Sequence, residues 1–142
     1  MVSITGKQDR IEETFMTRST LEHVNFTVAD ASATAKWLCD VFGWKIRWQG
    51  PALNGGLSIH VGTDDAYLAI YTPKEVRARD GIHKDRVGSL NHVGVVIDDL
   101  DAAEAKVKAL GYVPYNHADY EPGRRFYFDD ENGIEFEVVS YA

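Results

Sequence analysis

The chain has 142 residues, the usual length of a single domain. Hydrophobic residues make up 44% and aromatic residues 11%, which is enough for a globular core and excludes wholesale disorder. The 15 Lys and Arg stand against 22 Asp and Glu, and a net charge of −7 without a basic stripe makes nucleic acid and anionic membranes poor partners.

The first strand follows a short N-terminal arm. Residues 1–19 have no strong periodicity and are interpreted as an arm, so the folded domain is predicted over residues 20–142. Residues 21–28 alternate between polar and apolar types, which predicts a strand. Because side chains alternate between faces, His23 is expected on the face opposite the apolar residues.

A helix and three further strands complete the first half. Asp30 is placed to cap a helix over residues 31–42, and Gly43 is placed to end it. Turn residues then separate predicted strands at 44–49, 57–61 and 67–71. The order is strand, helix, strand, strand, strand.

The second half repeats this order. The strand predicted at 90–97 carries His92 69 residues after His23, and Asp99 follows Asp30 by the same interval. The helix predicted at 100–110 ends at Gly111, and strands follow at 112–117, 125–128 and 134–140. The sequence therefore predicts an α+β domain of two βαβββ modules, at about 20–72 and 89–141, with a polar linker between them.

The last predicted strand carries two carboxylates. Residues 130–133 form an Asp-Glu-Asn-Gly turn signal, after which Glu135 and Glu137 share one face. If the first and last strands of a module are neighbours, two imidazoles and a carboxylate share that face, a ligand set that suits Fe(II) or Mn(II). The alternative is ordinary: a single strand histidine is more often a surface residue, and a terminal glutamate is more often solvated.

These features together resemble the vicinal oxygen chelate superfamily, which includes glyoxalase I, extradiol dioxygenases, fosfomycin-resistance thiol transferases, methylmalonyl-CoA epimerase and bleomycin-resistance proteins. The resemblance rests on the repeated module, the paired histidines and the closing Asp-x-Asn-Gly-x-x-x-Glu, and it covers about residues 20–141. It implies a curved, half-open barrel around a divalent cation, with Zn(II) or Ni(II) as further possibilities. The ligands it implies are His23, His92 and Glu137 rather than Glu135.

The same resemblance indicates where the chain departs from some family members. Many have a fourth ligand, Glu or Gln, on the last strand of the first half, where this chain has Ala69 or Tyr71. A three-ligand site favours extradiol dioxygenases and thiol transferases over glyoxalase I and epimerases.

Five other residues are candidates for the site. Tyr127, ten residues before Glu137, resembles the dioxygenase tyrosine that hydrogen-bonds substrate, although it also fits a strand face filled with aromatics. His117 lies near the position of a further catalytic histidine in such enzymes, with the register off by one. His60 is a weaker candidate, since it fits a plain strand residue. Arg125, with Arg124, is a candidate for binding an anionic substrate, although a solvated pair flanking a turn is favoured. Glu135 is a candidate partner at the rim.

The sequence thus predicts a divalent-metal-dependent enzyme acting on a small molecule with neighbouring oxygens, with ring cleavage of a catechol-like substrate slightly favoured. The alternatives are a glyoxalase or lyase, an epimerase, a thiol transferase, or a metal-free protein that sequesters a ligand. A homodimer is expected, because a half-open sheet leaves strand edges to cover. The single Cys39, the absence of a leader and the absence of a long apolar run favour a cytoplasmic location.

Overall fold

The computed structural model describes residues 18–142 with the exception of positions 82 and 121. Most of the predicted arm lies outside these residues. The described chain contains two modules of the same order. The first consists of β1 (His23–Thr27), α1 (Ala31–Phe42), β2 (Lys45–Pro51), β3 (Leu57–Gly62) and β4 (Tyr67–Thr72). The second consists of β5 (Val93–Val96), α2 (Leu100–Ala109), β6 (Tyr115–Tyr120), β7 (Gly123–Asp129) and β8 (Glu135–Ser140).

Each module forms its own four-stranded sheet. The strand orders are β1-β4-β3-β2 and β5-β8-β7-β6, so the first and last strands of each module are neighbours. These neighbours run parallel, whereas the other pairs are antiparallel. The predicted α+β fold of two βαβββ modules is confirmed. Within one chain the two sheets remain separate.

The two helices begin at the predicted aspartates. The side chain of Asp30 accepts a hydrogen bond from the backbone N–H of Ala33, and Asp99 accepts one from Ala102. Each bond satisfies a donor that the first helical turn leaves free. At the end of α1, Gly43 has φ of 69°, a left-handed conformation that glycine adopts without strain.

The cap of α1 gives a stability prediction. Asp30→Ala is expected to lower the free energy of unfolding by about 1 kcal/mol, because the N–H of Ala33 loses its acceptor. Asp30→Asn keeps an acceptor oxygen and should stay within a few tenths of a kcal/mol of the parent. Urea denaturation of the three proteins measures the difference. An equal loss in both variants would show that the cap contributes nothing.

The two modules share one hydrophobic core. The helices pack against each other and against their own sheets, so both helices lie between the two sheets. Trp37 of α1 crosses the module boundary, with its ring 4.9 Å from that of Phe136 and 5.6 Å from that of Phe128. The apolar side chains of β1, β4, β7 and β8 face this core. The opposite face of each sheet, here called its open face, therefore points away from the other module.

A polar turn adds a second connection between the modules. Asn132, in the turn between β7 and β8, accepts a hydrogen bond from the N–H of Ala29 and donates one to Thr34 at the start of α1. The buried carboxylate of Asp130 holds this turn, since it accepts from the backbone N–H groups of Asn132 and Ile134. The Asp-x-Asn-Gly motif thus joins the start of α1 to β8.

Strand β6 differs from the prediction. It begins at Tyr115 rather than at residue 112, directly after Pro114, which has no N–H to give a ladder. The pairing with β7 shifts by one residue between Tyr115 and Ala118, and Asn116 within this bulge has φ of 51°. A bulge of this kind reverses the face on which the following side chains lie.

Both β1 and β5 are edge strands, and their edges carry apolar side chains. Val96 on β5 is 64% exposed, Val24 on β1 is exposed as well, and so are Leu21 and Leu90, which precede the two strands. In the part of the chain that the structure describes, no helix has the length and apolar character needed to cross a membrane.

Candidate metal centre

The open face of the second sheet brings His92 and Glu137 together. His92 directly precedes β5, and Glu137 lies on the neighbouring strand β8, opposite Gly94. The Nε2 atom of His92 is 3.3 Å from Oε1 of Glu137.

Two donors hold Glu137 as a carboxylate. Tyr127 donates its hydroxyl to Oε2 at 2.9 Å, and Arg125 donates Nη1–H to the same oxygen at 3.0 Å. Burial by itself raises the pKa of Glu137, but these hydrogen bonds and the charges of His92 and Arg125 outweigh burial and lower the pKa. The hydrogen bond to Glu137 raises the pKa of Tyr127, which therefore stays a donor at physiological pH.

The two histidines are oriented in the same way. Nδ1 of His23 lies 2.7 Å from a carboxylate oxygen of Glu22, and Nδ1 of His92 lies 2.7 Å from the amide oxygen of Asn91. When Nδ1 of the neutral ring carries the proton, it donates to this oxygen, and Nε2 then has its lone pair free for a metal. This is the arrangement of metal-binding histidines, whose second nitrogen usually donates to a carboxylate or carbonyl oxygen.

The His92 and Glu137 pair fits a divalent metal ion. Two ligand atoms that each lie about 2.0–2.2 Å from one ion, at the angles found in tetrahedral or octahedral sites, are roughly 3.0–3.5 Å apart. The observed separation of 3.3 Å between Nε2 and Oε1 lies within this range. Imidazole and carboxylate together suit Fe(II), Mn(II), Zn(II) and Ni(II).

His23 does not complete this site within one chain. Among residues 18–142, without positions 82 and 121, no group of three or more His, Cys, Asp or Glu side chains is placed to hold one metal ion. His23 and His92 both border a cavity of about 350 Å³ at the starts of β1 and β5, whereas Glu137 does not line it. The separation follows from the fold, because the open faces of the two sheets point in different directions.

The open face of the first sheet is aromatic instead of charged. The rings of Trp48, His60, Tyr67 and His23 follow one another across the four strands, with centroids 5.0, 4.5 and 4.9 Å apart in that order. Arg47 lies over the ring of Tyr67. Burial, followed by the charge of His23, lowers the pKa of His60.

The registers of the two sheets show which residues correspond. His60 lies opposite Ala69 just as Tyr127 lies opposite Glu137. The counterpart of Glu137 is therefore Ala69, and Tyr71 is one alternation further along β4. A methyl group offers no ligand, so the first module supplies no fourth ligand from β4.

The remaining predicted site residues are divided between the two faces of the second sheet. Tyr127 and Arg125 lie beside Glu137, as described. Glu135 is also on the open face but forms an ion pair with Lys84 of the linker instead of contacting Glu137. His117 does not join the site: it pairs with Glu104 of α2 and stacks on the core residue Phe126.

The bulge in β6 explains the position of His117. Without the extra residue, His117 would lie opposite Arg125 on the open face, but Ala118 occupies that place. The expectation that Arg125 is a solvated turn residue is wrong, because its side chain is only 15% exposed and is bonded to Glu137.

Sequence reasoning did not single out Glu22 and Asn91. A signal was nevertheless present, because both residues directly precede the paired histidines at the same position of the repeat. Nor did it identify the aromatic row, since Trp48, His60 and Tyr67 lie on different strands and come into one row only through the strand order.

A sheet-and-helix module used twice, with a His and Glu pair on an open face, defines a class of small metal- and ligand-binding folds. A sequence model of the Glyoxalase/Bleomycin resistance protein/Dioxygenase superfamily matches residues 20–138, and the chain belongs to this superfamily. No match to a curated protein is found.

Solved structures share the fold. A glyoxylase/bleomycin resistance protein/dioxygenase domain from Frankia sp. EAN1pec has a TM-score of 0.71 at 17% identity, over 87% of this chain and 98% of that one. The fosfomycin resistance protein FosX from Mesorhizobium loti has a TM-score of 0.64 at 24% identity, over 87% and 92%. The antibiotic-binding protein TnmS3 from Streptomyces sp. CB03234 has a TM-score of 0.65 at 20% identity, over 88% and 98%. At these identities the likeness concerns the fold alone.

Proposed function

We propose that this protein is a divalent-metal-dependent enzyme whose metal is held by His92 and Glu137 of one chain and by His23 of the partner subunit. The observation that carries the proposal is the 3.3 Å separation of Nε2 of His92 and Oε1 of Glu137, with Nδ1 of the histidine already engaged. His23, with its Nδ1 held in the same way, is the matching third ligand.

The shared site follows from the packing of the modules. Within one chain the helices hold the sheets back to back, so the second sheet needs a first sheet from elsewhere to close around its open face. The unpaired edges of β1 and β5, with their exposed apolar residues, are surfaces that a second copy can cover. A homodimer built in this way contains two equivalent sites.

The residues around the proposed metal suit a small substrate with two neighbouring oxygens. A bound divalent ion supplies Lewis acidity, because it stabilises negative charge on the substrate oxygens. Tyr127, whose raised pKa keeps its proton in place, donates its hydroxyl to Oε2 of Glu137 and so orients the carboxylate of the site. The aromatic row of the first module, whose rings stack on one another, offers an apolar wall beside which a planar substrate packs.

These features favour ring cleavage of a catechol-like substrate by an extradiol-type dioxygenase. The three-ligand set leaves positions for both substrate oxygens, and it lacks the fourth ligand at Ala69. Iron(II) or manganese(II) is the metal proposed for this reaction. Anaerobic loading with Fe(II), followed by catechols and air, should give the yellow ring-opened product.

One observation favours a second candidate, a metal-free protein that sequesters a ligand. Arg125 already neutralises Glu137 through the bond from Nη1 to Oε2, so the carboxylate is stable without a metal. In this case the aromatic row binds the ligand and no turnover occurs. Metal analysis separates the two candidates.

Paired variants test the shared metal site. Protein purified without chelator should contain about two divalent ions per dimer, and His23→Ala and Glu137→Gln homodimers should each bind none tightly. A heterodimer of the two variants, isolated with two different tags, keeps one intact site and should bind about one ion per dimer.

The same set of experiments includes a control variant and two results that would contradict the proposed metal site. Glu135→Gln, on the same face but bonded to Lys84, should leave the metal content unchanged. A heterodimer that binds no metal would place all three ligands in one chain. A wild-type protein without metal affinity above about pH 6.5, where imidazole is deprotonated, would overturn the metal site itself.

A further inference from the structure

Glu22 is held in place by a neighbouring strand, although its side chain is exposed. Its carboxylate oxygen Oε1 lies 2.7 Å from Nδ1 of His23 and also accepts the hydroxyl of Tyr67 at 3.1 Å. The backbone oxygen of Glu22 accepts the N–H of Tyr67 at 3.0 Å. The Tyr67 ring is in turn stacked on His23, with centroids 4.9 Å apart, and the guanidinium of Arg47 lies 4.4 Å from its centroid. These contacts fix Glu22 in the position from which it meets His23.

Asn91 is the counterpart of Glu22 in the second module. Its amide oxygen lies 2.7 Å from Nδ1 of His92, the same distance as in the first module. The two histidines of the repeat thus have acceptors of the same geometry but of different chemistry. His23 has a carboxylate, and His92 has a neutral amide.

We propose that Glu22 is a positioning residue that holds the proton of His23 on Nδ1, whereas Asn91 leaves the proton of His92 free to occupy either ring nitrogen. This inference rests on the proposed function, because it concerns how two ligands of the proposed metal are prepared for it. It makes the two histidines unequal ligands, of which His23 is the stronger.

The difference follows from what each side chain accepts and donates. An ionised carboxylate has no proton to give, so Nδ1 of His23 has to be the donor and Nε2 keeps its lone pair. An amide carries an oxygen and an NH₂ group and presents either one after a half-turn, so Asn91 satisfies both neutral forms of His92. Oε1 of Glu137, 3.3 Å from Nε2 of His92, favours the form with the proton on Nε2. A metal has to displace that proton.

The negative charge of Glu22 acts in the same direction. A carboxylate that accepts from Nδ1–H orients the imidazole ring and makes Nε2 a stronger electron donor to a metal. A neutral amide does this to a smaller extent. Partners of this kind typically change metal affinity about 10- to 100-fold. Exchanging the acceptors of the two modules should therefore weaken one histidine ligand and strengthen the other.

Variants of the two acceptors test the inference. Mn(II) is titrated into the full-length protein at about pH 7.5, where imidazole is neutral, and calorimetry measures the affinity. Glu22→Ala should bind Mn(II) about 10- to 100-fold more weakly than the wild type, and Glu22→Gln should lose less because it keeps an acceptor oxygen. Asn91→Asp should bind Mn(II) about 10-fold more tightly, since His92 then has the acceptor that His23 has. Damage to the fold does not produce such a gain.

A second measurement follows the proton without any metal. Nitrogen NMR spectra of the metal-free protein with isotopically labelled histidine distinguish the two neutral forms of each ring, and His23→Ala identifies the His23 signals. His23 should carry its proton on Nδ1 in the wild type and lose this preference in Glu22→Ala. Glu75→Ala, which removes an exposed carboxylate of the linker, is the matched control and should change neither the spectra nor the Mn(II) affinity.

The possible failures can be told apart. His23 protonated mainly on Nε2 in the wild type, or wild-type Mn(II) affinity in both Glu22→Ala and Asn91→Asp, would overturn this inference and leave the metal site standing. A wild type that takes up no Mn(II) would overturn the proposed function and, with it, the ranking of the two ligands. The NMR spectra would then still decide whether Glu22 sets the position of the His23 proton.

Discussion

Replacing Phe136 by alanine is expected to lower the free energy of unfolding by about 3–5 kcal/mol, the cost of removing a fully buried aromatic ring from a packed core. The ring of Phe136 contacts both modules, since it meets Trp37 and Phe42 of α1 as well as Phe128 of β7. The cavity therefore weakens the packing that joins the two halves. Denaturant unfolding followed by tryptophan fluorescence measures the loss directly, because Trp37 reports on this core.

A matched pair of variants makes this result specific. Phe136→Leu keeps most of the volume and should cost about 1.5 kcal/mol or less. Tyr141→Ala removes an aromatic ring that is 58% exposed and should stay within about 0.5 kcal/mol of the parent. A loss below about 1 kcal/mol in Phe136→Ala would contradict the packing described here.

The second large effect is expected at the turn between β7 and β8. Asp130→Ala should cost about 2–3 kcal/mol, because the backbone N–H groups of Asn132 and Ile134 lose their acceptor in a buried setting. Asn132 is then no longer held against Ala29 and Thr34. Glu131→Ala, in the same turn but exposed, is the control and should be nearly neutral. Equal losses in the two variants, measured by urea denaturation, would show that the buried acceptor has no special role.

The carboxyl group of Asp130 makes the free energy of unfolding depend on pH. Burial raises the pKa of Asp130 above its usual value of 3.8, so the folded protein holds this proton more tightly than the unfolded chain does. The stability gained from the protonated form is complete below the unfolded pKa and is lost as pH rises through the folded pKa. Across that window the wild type should lose stability relative to Asp130→Asn, which does not titrate. A stability difference that stays constant with pH would contradict the shift.

Most of the fold could be predicted from the repeat in the sequence. The paired aspartates at the helix starts and the alternation of the strands depend on local chemistry, and the observed caps and core faces agree with them. The neighbouring placement of the first and last strands entered the sequence analysis only as a condition, and the observed strand orders meet it. The first and last residues of the strands were predicted less accurately, as at Pro114. Where a strand ends depends on which backbone N–H and C=O groups find hydrogen-bond partners.

The site could be predicted only in part. The contact of His92 with Glu137 follows from strand alternation, which the sequence indicates, and from the pairing of β5 with β8, which the structure supplies. The position of His117 depends on a one-residue bulge at Asn116, and alternation alone does not reveal such a bulge. The burial of Arg125 depends on its bond to Glu137 and on Tyr120 across the sheet, so a pair of arginines near a turn looked solvated.

The separation of His23 from Glu137 has a different cause. Equivalent positions in a repeat meet only if the two modules face each other, and the large apolar residues of α1 decide how the modules pack. Trp37 and Phe42 pack with the helices of both modules in one core, so the open faces of the two sheets point away from each other. The sequence shows the repeat but does not show this orientation.

The two modules carry different residues at the equivalent positions that face the proposed site. His60 and Ala69 in one module correspond to Tyr127 and Glu137 in the other, so one wall is aromatic and the other is charged. In the proposed dimer every site takes one wall of each kind, and a substrate can enter in only one orientation. In that dimer the divergence of the modules would decide which end of an unsymmetrical molecule lies next to Glu137 and which end lies next to the aromatic row.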